Sequence, residues 1–120
     1  MWRFVIRSMV GVVVVLAGQA SAAEMAFYIR NDVGRAVVVE LHSTTRDQVW
    51  PGYDEVYLID KGEKKSVPVT CEAGESICYG AWLNGDAGTH WGVGPENDQH
   101  CTDCCYVCKE KTTARIQLRQ

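Results

Sequence analysis

The sequence predicts an all-β fold, a small disulfide-stabilised β-sandwich or barrel-like domain. Short runs of alternating apolar and polar residues are separated by turn signals at intervals of about a dozen residues, the pattern of a sandwich rather than of α/β units. A sustained helical period is missing outside the cysteine cluster. Four of the six cysteines fall within Cys101-Thr102-Asp103-Cys104-Cys105-Tyr106-Val107-Cys108, and this segment is expected to be irregular or briefly helical.

Residues 1–23 read as a leader. Arg3 and Arg7 precede the apolar run Met9 to Gly18, and Gln19-Ala20-Ser21-Ala22-Ala23 supplies a small-residue cleavage site, with cleavage expected after Ala22 or Ala23. The uncharged stretch from Ser8 to Ala23 falls short of the roughly 20 apolar residues of a spanning helix. The expectation is a periplasmic or secreted protein with no membrane anchor after cleavage, folded as one domain over residues 24–120. Removing the leader leaves ten Lys and Arg against fifteen Asp and Glu. The remaining cations are scattered or sit in turns such as Lys64-Lys65, so nucleic acid is set aside as a partner.

The elements follow in order. Ala26 to Asn31 alternates Phe27 and Ile29 against Tyr28 and Arg30, and Asp32-Val33-Gly34-Arg35 turns the chain. Ala36 to Ser43 is the strongest strand, with Val37, Val39 and Leu41 on one face and Val38, Glu40 and His42 on the other. Thr44 to Tyr53 is a long polar connection ending in Trp50-Pro51-Gly52-Tyr53. Glu55 to Asp60 and Lys64 to Cys71 are expected to pair as a hairpin about Asp60-Lys61-Gly62-Glu63. Pro68 cannot donate to a ladder, which places the second of these at an edge or turns its missing N–H outward. Ser76 to Leu83 and Thr89 to Gly94 are joined by Asn84-Gly85-Asp86-Ala87-Gly88, and Thr112 to Arg119 closes the chain with Ala114, Ile116 and Leu118 inward.

An even set of six cysteines in a short exported chain is the composition of a disulfide framework, with 15 possible connectivities. Cys71 and Cys78 flank a turn and are expected to pair. The cluster would then close on itself as Cys101–Cys104 with Cys105–Cys108, or Cys101–Cys105 with Cys104–Cys108; otherwise one or both of Cys71 and Cys78 reach across to it. A Cys104–Cys105 bridge is disfavoured because adjacent Cα atoms lie about 3.8 Å apart, inside the ~4.4–6.8 Å that disulfides span. Positions 101, 104, 105 and 108 share one face of a helix, so a turn or two would converge the sulfurs.

Convergent sulfurs also describe a metal site. Cys101, Cys104, Cys105 and Cys108, with His100 as a substitute ligand, form an alternative site for Zn or Cu(I), although abutting C-x-x-C knuckles differ from the separated knuckles of zinc ribbons. A small thiol-disulfide oxidoreductase is the enzyme-class alternative, without the βαβ context that usually surrounds C-x-x-C. His42, His90 and His100 are dispersed and accompany no nucleophile elbow, and an enzyme is not the expectation. Trp82 is read as core. Arg46, Trp50 and Tyr53 on the long loop are the candidate binding residues for an unknown protein or small ligand.

Trp50-Pro51-Gly52, Gly74-Glu75-Ser76-Ile77-Cys78-Tyr79-Gly80-Ala81-Trp82 and the terminal C-x-x-C-C-x-x-C resemble those of small exported bacterial cysteine-rich proteins of unassigned function. The resemblance covers most of the chain after the leader and implies export, but no substrate or catalytic residue. The expectation is an exported, non-catalytic binding or structural module with no cofactor.

Overall fold

The computed structural model describes Gly11 and residues 21–120. The expected leader lies outside the described residues except for Gly11 and for its end, where Ala22 and Ala23 already belong to the first strand. Among the described residues there are nine strands and no helix: β1 (Ala22–Asp32), β2 (Val37–Ser43), β3 (Val49–Trp50), β4 (Tyr57–Ile59), β5 (Lys64–Glu72), β6 (Ser76–Leu83), β7 (Asp86–Gly92), β8 (Cys105–Val107) and β9 (Thr113–Arg119).

They form two sheets. The first is β5-β1-β9, with β5 antiparallel and β9 parallel to β1. In the second, β2 and β6 pair at the centre; β3 and β4 share the far side of β2, while β7 and β8 share the far side of β6. The period-2 alternation sends Met25, Phe27 and Ile29 of β1, Val67 and Val69 of β5, and Ala114, Ile116 and Leu118 of β9 into one core. Val37, Val39 and Leu41 of β2 and Ile77, Ala81 and Leu83 of β6 enter it from the second sheet. The expected disulfide-stabilised β fold is therefore observed.

Two pairings differ from expectation. β4 and β5 do not form a hairpin: β4 pairs with β2 and β5 with β1, so the Asp60–Glu63 turn crosses between sheets. The fully buried Asn31 holds that crossover, its Nδ2 donating to the carbonyls of Arg35, Ile59 and Asp60 at 2.7, 3.1 and 3.1 Å. Its Oδ1 accepts from Val33 N, so both ends of a buried amide are satisfied. After β6 the chain reverses at Asn84-Gly85 and resumes pairing at Asp86, with a register shift between Trp82 and Leu83. Part of the expected 84–88 loop is thus strand.

Both outer edges of the three-stranded sheet are covered by donors from the second sheet. On β5, Pro68 lies opposite Ala26, whose own N–H turns towards β9 and bonds Thr112 O, so the missing proline N–H faces away from the ladder as expected. Beside it, Trp50 Nε1 donates to Thr70 O at 3.1 Å. On β9, Tyr106 Oη donates to Arg115 O at 3.2 Å and Trp91 Nε1 to Arg119 O at 2.9 Å.

The outer face of the second sheet carries residues 93–104. Gly80 admits them: a Cβ there would collide with the Gly94 carbonyl oxygen, a backbone atom that cannot rotate away. Gly80→Ala is expected to lower unfolding stability by about 2 kcal/mol, the usual cost of overpacking. Urea denaturation followed by tryptophan fluorescence measures it, and an unchanged midpoint would contradict this packing.

Candidate functional site

The long loop is anchored rather than free. Glu75, in the turn between β5 and β6, is 4% exposed and collects its donors from three directions. Arg46 Nε reaches Oε2 at 2.5 Å and Arg46 Nη2 reaches Oε1 at 2.9 Å; Ser43 Oγ donates to Oε2 at 2.5 Å and Glu72 N to Oε1 at 3.0 Å. The Arg46 hydrogen bonds, then those of Ser43 and Glu72 N–H, outweigh burial and hold the carboxyl at about 2. The same contact pushes the Arg46 guanidinium up. A two-bond fork of this kind fixes orientation as well as charge.

Of the three candidate binding residues, two belong to this scaffold. Arg46 is committed to Glu75 and lies 5.8 Å above the Trp50 ring. Trp50 is 8% exposed and part of the core. Tyr53 projects, 63% exposed, with its hydroxyl on Asp47 O at 3.0 Å. A cleft of about 470 Å³ opens between Arg46, Gln48, Trp50 and Thr70, with the Arg46 guanidinium held by Glu75 and the Trp50 indole N–H by Thr70 O. Sequence reasoning missed Glu75, because its partners Arg46 and Ser43 lie 29 and 32 residues earlier and nothing local in Glu72-Ala73-Gly74-Glu75 marks it.

All six cysteines are paired, as Cys71–Cys108, Cys78–Cys105 and Cys101–Cys104. The expected Cys71–Cys78 pair does not form. β5 and β6 lie in different sheets, and Cys71 points into the main core while Cys78 points to the outer face of the second sheet. Nor do the cluster cysteines share a helical face. Cys105 opens strand β8, and the chain beyond it carries Cys108 to the main core, so Cys108 Sγ parts from the other three. His100 is exposed on the preceding loop. No group of three His, Cys, Asp or Glu side chains converges as a metal site among the described residues.

The outer face of the second sheet has features that the sequence hid. Trp82, expected in the core, lies on this face and is partly exposed, while Trp91 packs against the core in its place. In register across the sheet run Leu58, Val38, Trp82 and His90. Glu40 and His42 lie beyond them on β2, with His42 Nε2 3.4 Å from Glu40 Oε2 and without a hydrogen bond. Burial pushes the His42 imidazole down, and burial followed by the Asp54 charge pushes Glu40 up. No family model, curated protein or solved structure matches this chain.

Two measurements test the anchor. The Glu75 carboxyl is held below its unfolded value of about 4.5, so its stabilisation is complete above pH ~4.5 and lost as pH falls towards 2, roughly 3 kcal/mol in all. Glu75→Gln is expected to flatten melting temperature against pH between 2 and 4.5; retention of the wild-type slope would refute this role. Trp50→Ala removes a buried indole and orphans the Thr70 carbonyl, with an expected loss of at least about 3 kcal/mol. A near-normal chemical denaturation midpoint would mean that the ring is not a structural clip.

Proposed function

We propose that the chain is an exported, disulfide-stapled module that binds a partner without catalysing a reaction, in the periplasm or outside the cell. Three disulfides suit an oxidising compartment. No helix of the described residues is long and apolar enough to cross a membrane.

The observation that carries the binding reading is the row Leu58, Val38, Trp82 and His90 across the outer face of the second sheet. Leu58 is 44% exposed, and Val56 beside it is also exposed. Leu58 and the partly exposed Trp82 stand on either side of Val38, itself buried at 5% exposure, and form a contact surface on a rigid sheet, the tryptophan supplying large area with few torsions to freeze. Glu40 and Asp54 border the row with negative charge. The partner that fits is a protein surface presenting an apolar side chain flanked by Lys or Arg.

Leu58→Lys tests this reading against Val107→Lys, which alters a more exposed apolar residue, 62% exposed, on β8. Both variants should melt within about 0.5 kcal/mol of wild type, as surface substitutions do. With each protein immobilised in native extract, Leu58→Lys should lose at least tenfold of a retained component that Val107→Lys keeps. Equal retention by all three proteins, or equal loss from both variants, would overturn the assignment of this face.

A further inference from the structure

Towards the β8 end, the same outer face is closed by residues 93–104. Val93 and Cys104 are buried against Cys78, Tyr79 N donates to Cys104 O at 2.9 Å, and Gln99 N donates to Val93 O at 3.1 Å. Folded this way, the segment lays two disulfides side by side. Cys101–Cys104 closes the first C-x-x-C, and Cys78–Cys105 joins residues directly opposite each other on β6 and β8. Cys104 Sγ lies 4.0 Å from Cys105 Sγ, so one sulfur of each bridge nearly touches one of the other.

Accessibility divides the four cysteines. Solvent reaches Cys101 and Cys105, whereas Cys104 is fully buried and Cys78 is 4% exposed. The third bridge stands apart, with Cys71 and Cys108 each 2% exposed in the main core. Thiol–disulfide exchange needs a thiolate within reach of a disulfide sulfur and a thiol that can leave. Cys104, once released, meets the first condition at Cys105.

We propose that Cys101–Cys104 and Cys78–Cys105 form one exchange unit, through which an external dithiol delivers two electrons to the cross-strand bridge. A thiolate of the dithiol attacks Cys101 Sγ; the Cys101–Cys104 bond breaks and Cys104 leaves as a thiolate. The second thiol of the donor attacks its own sulfur in the mixed disulfide, leaving the donor oxidised and Cys101 as a thiolate. Cys104 then attacks Cys105 Sγ, breaking Cys78–Cys105, and Cys78 departs and takes a proton. The result is a transient bond between the neighbours Cys104 and Cys105. Cys101 resolves it by attacking Cys104, which restores Cys101–Cys104 and releases Cys105, protonated in turn. The net change is one donor dithiol oxidised to its disulfide and Cys78–Cys105 reduced to two thiols. In that state β8 stays tied to the domain through Cys71–Cys108, while its covalent link to β6 is open.

Limiting dithiothreitol, followed by iodoacetamide and peptide mapping of the native protein, tests the route. Label is expected on Cys78 and Cys105 with the other two bridges intact, and opening of Cys78–Cys105 should slow at least tenfold in Cys101→Ser/Cys104→Ser. Label confined to Cys101 and Cys104, or an unchanged rate in the double variant, would overturn the relay. If the double variant fails to fold, Cys101→Ser gives an independent reading. Its unpaired Cys104 sits beside Cys105, so part of the free thiol should map to Cys78; a free thiol found on Cys104 and nowhere else would reject the proposal.

Discussion

One buried carboxylate ties the long loop to the sandwich. Glu75 takes hydrogen bonds from Arg46, Ser43 and the Glu72 amide, while its backbone carbonyl accepts Cys108 N at 2.7 Å. The end of β2, the loop that follows it, the β5–β6 turn and the chain after β8 therefore meet at one residue. The Cys71–Cys108 bridge closes the same corner covalently. A carboxylate with this many donors is stable only while all of them are present, because a buried charge stripped of partners costs several kcal/mol. That dependence makes the corner cooperative.

The remaining corners use neutral hydrogen bonds. Asn31 gathers both the β1–β2 turn and the crossover from β4 to β5, and three aromatic donors, Trp50, Trp91 and Tyr106, reach from the second sheet to carbonyls on the open edges of the first. Each aromatic side chain both fills core volume and satisfies an edge group, so a small domain obtains apolar burial and edge cover from the same residue. The sandwich thus holds its two sheets together at the rim as well as through the core.

The strands were legible where alternation was strong. Val37 to Leu41, Phe27 to Ile29 and Ala114 to Leu118 announced both their conformation and their inward faces. β3 and β8 were hidden because two- and three-residue strands are too short to show a period. Pairing was harder to read than conformation. The expected β4–β5 hairpin failed because Asn31, nearly thirty residues earlier, captures the turn; the expected Cys71–Cys78 bridge failed because the sequence does not say which sheet a strand joins. Trp50 looked like a loop residue by its neighbours, yet its indole N–H finds a carbonyl 20 residues away. Each miss is a long-range contact that overrides a local pattern.

The parallel pairing of β1 with β9 sets the order in which the domain can be finished. Ala26 to Asp32 lie beside Thr113 to Arg119, so the first strand waits for the last to complete its ladder. A chain made from its N-terminus onward cannot close the three-stranded sheet until residues 113–119 have emerged, and such distant pairing folds slowly. A chain ended before Thr113 would lack Ala114, Ile116 and Leu118 in the core and leave the β1 edge open from Ala26 to Asp32, so it would present a pairing-ready strand rather than a smaller stable domain.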